Sequence, residues 1–168
     1  ASCWRIAAAP EEAESFFARA AAAVTDAAAK HIGSGWSSPL WTDSKQVYRG
    51  GAGFAALEAA ALIGVSLWSA AVPATWTALA HAAGPISPPD DGRGQWRGLF
   101  ELTLPLEIDA GACGAAAAAV GAALDRHGVT LERVACRALY PREFNALLAA
   151  GLNKSDILSA ATLDLAAE

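Results

Sequence analysis

The sequence predicts an α/β fold in which helix outweighs strand, and three observations carry that class. Short alternating apolar stretches separate longer runs with helical spacing, in the order strand, helices, strand, helix, strand, helices. Alanine dominates the composition, and alanine loses least side-chain entropy in a helix. Hydrophobic residues make up 54% of the 168 positions and charged residues 17%, enough apolar material to close the core of one domain over 1–168. That core is expected to be thin, since a buried Ala contributes far less apolar area than Leu or Phe, and six Trp partly compensate.

The elements follow in order. Residues 1–8 alternate as a strand. The opening Ala1-Ser2-Cys3-Trp4 reads as mid-strand, and with Met absent throughout this suggests an interior piece of a longer chain. Pro10 suits a first helical turn, Glu11, Glu12 and Glu14 complement the positive end of the helix dipole, and the helix runs to about Lys30. Residues 31–42 form a Gly/Ser/Pro loop that carries Trp36 and Trp41. Thr42-Asp43-Ser44-Lys45 and the glycines 50, 51 and 53 lead into a helix over about 54–68. Pro73 opens the next helix, which ends near Gly84, and 84–97 is a loop rich in Pro, Gly and Asp.

Leu99 to Ile108 alternates as a strand, with Leu102, Leu104 and Leu106 on one side. A helix over 111–127 stops at Gly128, and Val129 to Tyr140 is the third strand. Pro141 starts a short helix, Asn153 interrupts it, and Ser155-Asp156 caps a final helix.

Charge narrows the function classes. The net charge is −5 with a pI near 5.1, whereas a chain that grips phosphates along a broad face is usually basic. A local Arg cluster is the remaining route to nucleic acid. Between Ala59 and Pro89 there is no Lys, Arg, Asp or Glu. Pro73 divides this stretch, and Ala, Ser, Thr and Gly fill much of it, so a buried helical hairpin is expected rather than a membrane span. Cys3, Cys113 and Cys136 lack metal-ligand spacing and are odd in number, so reduced, buried thiols and a cytoplasmic location are expected. No leader-like pattern opens the sequence.

Most candidate sites have plainer explanations. Gly51-Ala52-Gly53 loosely matches a dinucleotide fingerprint, but Asp43 to Arg49 are too polar for a central parallel strand, and no acid lies between Glu58 and Asp90 to hold a ribose. His31, His81 and His127 have no partner at ligand spacing, and Asp90 and Asp91 read as turn residues. Arg133 and Arg137 share a parity on the third strand, with Arg142 close behind. Two guanidinium groups on one face could hold a phosphate bidentately, or could be the solvated side of a half-buried sheet.

Two stretches together resemble the ribonuclease HII family. The first is Asp43-Ser44-Lys45 with the helix that begins after a short loop, Leu57-Glu58 and the apolar run to Leu67. The second is Val134-Ala135-Cys136-Arg137-Ala138-Leu139-Tyr140-Pro141-Arg142-Glu143-Phe144-Asn145, followed by Asn153-Lys154-Ser155-Asp156 and the run to Leu163. It is similar to the family's strand ending in Pro and an acid, then an Asn-led helix containing Ala-Thr. Order and placement agree along about half the chain. Gln46 stands where the family usually has a second Lys, and residues 68–128 exceed what the compact family places there, as an elaborated helical insertion would.

The resemblance implies a ribonuclease H-like mixed sheet flanked by helices and a metal-dependent endoribonuclease acting on RNA in RNA–DNA hybrids. Clustered carboxylates would hold Mg2+ or Mn2+ on either side of the scissile phosphate. In the family the first acidic pair lies on the strand just before the segment that residues 1–8 resemble, and the other acids follow the final helix. No catalytic carboxylate therefore carries over onto this sequence. Asp43, Ser44 and Lys45 carry over as residues bordering the site, with the Lys45 ammonium near the scissile phosphate or the acids and offsetting their charge, and Arg137 joins them as a candidate phosphate contact. The alternatives are a non-catalytic relative that binds nucleic acid or a protein partner through the inserted helices, and an unrelated α/β module.

Overall fold

Helices α1 (Ala13–Ile32), α3 (Gly53–Ser69) and α6 (Ala110–Arg126) meet along faces made largely of alanine, and their junction is the core. The computed structural model describes residues 2–6, 12–33, 40–49, 53–84, 86 and 97–167. Ala28, Ala59, Ala116 and Ala123 are fully or almost fully buried, and such small side chains let the three helices approach closely. Leu62, Ile63 and Val120 supply the larger volumes at the centre, each at most 1% exposed. Burying a Leu or Ile side chain stabilises by about 1.5–3 kcal/mol, so these few positions outweigh several of the alanines. The 68–128 segment is thus no mere appendage, since its helix α6 is a wall of the core.

The sheet is small. Strand β1 (Ser2–Ile6) pairs antiparallel with β2 (Val129–Val134), with a register shift between Cys3 and Trp4. The overall class is mixed α/β, mostly helical, with one two-stranded antiparallel sheet among the described residues. Trp4 of β1 lies against Trp41 with ring centroids 5.4 Å apart. The Trp41 indole N–H donates to the carbonyl of Ala60 at 2.9 Å, and the Leu40 amide donates to Thr25 Oγ1 at 3.1 Å. Residues 40–41 therefore tie α1, α3 and the sheet together. They also fix the chain that enters α2 (Ser44–Arg49).

Two expected strands are corrected. Leu99 to Ile108 is not a strand: it begins in a short helix, α5 (Arg97–Phe100), and touches residue 75 of the turn before α4 (Trp76–Ala83) through a single bridge, Thr75 to Thr103. The chemistry stops the ladder there. Pro105 has no N–H to give. The next three amides, of Leu106, Glu107 and Ile108, all donate to the buried carboxylate of Glu58 on α3. Nor does the strand from Val129 reach Tyr140; it ends at Val134, because the Cys136 amide turns away to the carbonyl of Ala83 at 2.6 Å. A Cβ at Gly84 would stand 2.9 Å from the Cys136 carbonyl oxygen, and Gly84 has φ 147°, so only glycine fits that approach.

The helical hairpin expected between 59 and 89 is present as α3 packed on α4, whose N-cap is Thr75 rather than Pro73. No helix among the described residues is long and apolar enough to cross a membrane. Pro10, Trp36, Gly50, Gly51, Asp90 and Asp91 lie outside the described residues. The chain closes with α7 (Pro141–Ala149) and α8 (Lys154–Ala167). Asn153, not Ser155, caps α8: its Oδ1 accepts from the Asp156 amide at 3.0 Å, while Asp156 Oδ2 accepts from the Asn153 amide at 3.3 Å. That reciprocal pair is a capping box. The cysteines divide: Cys113 is buried, whereas Cys3 and Cys136 are exposed, and all three are free.

Candidate functional site

The exit of β2 and the two last helices form a cleft of mixed polar and apolar lining, about 660 Å3 in volume, against the end of α4. Arg133, Cys136, Arg137 and Tyr140 come from the β2 exit, His81 from α4, and Glu143 and Asp164 from α7 and α8. Arg137 is its hub. One guanidinium nitrogen donates to Glu143 Oε1 and the other to Asp164 Oδ2, each at 2.9 Å. The hydrogen bond to Glu143, then the two carboxylate charges, raise the proton affinity of Arg137 against a penalty from desolvation. Burial likewise pushes the Tyr140 phenol upward.

The parity expected for Arg133 and Arg137 does not apply, because residue 137 lies beyond the strand. Both nevertheless line the same cleft. Its lining holds two guanidinium groups and two carboxylates, so the cleft is balanced in formal charge rather than basic. Exposed ion pairs are weak and yield to competitors. A phosphate held bidentately by Arg137 would displace both carboxylates, since each accepts from one guanidinium nitrogen.

Asp43, Ser44 and Lys45 sit elsewhere. The Asp43 carbonyl oxygen accepts from the amides of Gln46 and Val47 at 2.8 and 3.0 Å, and its carboxylate accepts from the Lys45 amide at 2.9 Å. Asp43 thus caps α2, a structural task that any carboxylate at a helix start performs. Val47 buries its side chain to 2% exposure and anchors the short helix, leaving Ser44 and Lys45 exposed. None of the three lines the cleft around Arg137. Asp43 still follows Trp41 by two residues, and Trp41 packs on β1, so this turn and the cleft are both attached to the one sheet.

Sequence reasoning missed Glu143 and Asp164 as partners of Arg137. Glu143 follows a helix-starting Pro six residues after Arg137 and was within reach of local inspection; Asp164 is brought in by the turn at Asn153, which no spacing reveals. Among the described residues no three His, Cys, Asp or Glu side chains converge so as to hold a metal ion. The Mg2+ or Mn2+ that the resemblance implies has no ligand set there, and no chemical step is assigned to it. No known family model, curated protein or solved structure matches this chain.

Proposed function

We propose that this chain is part of a metal-dependent endoribonuclease-like domain of ribonuclease H-like fold that acts on RNA within RNA–DNA hybrids in the cytoplasm. In this role it supplies scaffold and substrate-facing surface, while the metal-binding carboxylates come from elsewhere in the domain. One observation carries the proposal. The two stretches that resemble the ribonuclease HII family, distant in sequence, are attached to the same two-stranded sheet. Asp43-Ser44-Lys45 is held through Trp41 packed on Trp4 of β1, and the block containing Arg137 is the direct continuation of β2. Lys45, exposed on a short anchored helix, is free to face a phosphate and offset nearby carboxylate charge.

Substituting Lys45 by Ala in the full-length protein is expected to slow hybrid cleavage about tenfold or more, measured as single-turnover rates. Turnover equal to the parent's would remove Lys45 from the site. A second role, binding a protein partner without catalysis, is favoured by the −5 net charge and by the engagement of Arg137 with two acids. Hybrid binding that weakens as salt rises separates the two, since only phosphate contacts release counterions.

A further inference from the structure

We infer that the apolar groove between α3, α4 and residues 99–106 is a docking site for an amphipathic helix of a protein partner, with basic residues flanking its apolar stripe. This holds whether or not the chain acts on a hybrid. The groove encloses about 420 Å3. Its α3 wall uses positions 54, 57, 58, 61 and 62, a continuous stripe two turns long, or about 12 Å at 1.5 Å per residue. Leu99, Leu102, Leu104 and Leu106 form the facing wall, and Trp76 closes one side. Phe54 and Leu106 are half exposed, at 49% and 51%, and Trp76, Leu99 and Leu102 each keep over a third of their surface in water.

The occupant is a helix rather than a strand. Strand addition needs an open row of backbone groups, and here much of that row is spent. The Leu102 carbonyl accepts from Trp76, the Leu104 amide donates to Ala74, and the amides of 106–108 donate to Glu58. A two-turn stripe instead matches anchors at i, i+4 and i+7 of a docked helix.

Charge selects its flanks. The segments that build the groove, 53–62, 76–79 and 97–107, contain a single cation, Arg97 at the start of α5, against three acids, Glu58, Glu101 and Glu107. Glu58 is buried and satisfied by three amides, so no bare charge lies under a ligand. Glu101 and Glu107 are exposed beside Leu102 and Leu106 and form no ion pair with another described side chain. A basic flank is attracted there; a fatty-acid headgroup is repelled. So is α8 of a second copy, which exposes Leu158 and Leu163 but carries Asp156 and Asp164 against Lys154.

The test titrates the full chain with a labelled helical peptide bearing leucines at i, i+4 and i+7, made once with Lys flanks and once with Glu flanks. The Lys peptide is expected to saturate one site by fluorescence anisotropy, and the Glu peptide to bind about tenfold more weakly or not at all. Leu106→Asp should abolish binding, with the circular dichroism melt confirming an intact fold. If that variant unfolds, Glu101→Lys with Glu107→Lys decides, because it must reverse the peptide preference. Equal binding of both peptides, binding of neither, a preference that survives the charge swap, or self-association abolished by Leu106→Asp would each overturn the proposal.

Discussion

Glu58 is a carboxylate set into a helix whose neighbours are Leu57 and a run of alanines, and its burial is made tolerable by three backbone N–H groups. Glu58→Gln keeps the shape but turns one acceptor oxygen into a donor facing amides. A loss on the order of 1–3 kcal/mol in urea unfolding is expected; an unchanged midpoint would mean that water satisfies those amides. The position was visible in the sequence as the last charge before a long uncharged stretch, but its partners across the turn at 106–108 were not. Cys113 is the second residue with a sharp signature. Desolvation by burial, then the negative charge of Glu58, pushes its thiol up to about 11 from the ordinary 9.0. The folded state therefore holds this proton more tightly than the unfolded chain. Its contribution to stability is complete below pH 9 and is lost as pH rises from there toward 11. In a thiol-reagent assay near neutral pH, Cys3 and Cys136 should react at once and Cys113 only on unfolding; three fast thiols would contradict its burial. Sequence alone favoured three buried cysteines, because composition cannot reveal that Cys3 on β1 and Cys136 just past β2 end up facing solvent.

Among the elements, the longer helices were legible, while the short helices α2 and α5 and the strand limits were not. The helices over 54–68 and 111–127 are found within a residue or so of their expected bounds, since propensity and apolar spacing act locally. Alternation at Leu102, Leu104 and Leu106 imitates a strand, yet Pro105 and Glu58 remove the donors a ladder requires, and the second of these depends on tertiary contact. The early end of β2 has the same character: the end of α4 captures the Cys136 amide, and glycine at 84 permits the approach. Gly84→Ala is expected to lower the urea midpoint and to speed hydrogen exchange at the Cys136 amide, with the cleft around Arg137 loosening in step. Parent-like exchange would show that the junction gives way without cost. At the chain's end, α8 buries only Ile157 among its described side chains, and its tie to the β2 exit is the ion pair of Arg137 with Asp164.

At the scale of the whole molecule, the α/β class was legible and the sheet was not. Apolar periodicity reports which residues face inward, but strand pairing is decided between segments far apart, and β1 finds its partner at Val129–Val134, with six helices between them. Of the candidate site residues, Arg137 proved to sit in a built cleft, with Glu143 and Asp164 as unforeseen partners. Asp43 is a helix cap, and Lys45 is exposed on the helix it starts. A domain of this charge can hold a nucleic acid only through a localised set of cations, and loss of binding with salt is the signature of such contacts. The most direct measurement is a titration of the chain with a fluorescently labelled RNA–DNA hybrid at low and then moderate salt. Saturable binding that weakens as salt rises, and weakens further in Lys45→Ala and Arg137→Ala, is the expected result. No binding even at low salt would contradict a hybrid-facing role and leave the protein-docking surface as this chain's function.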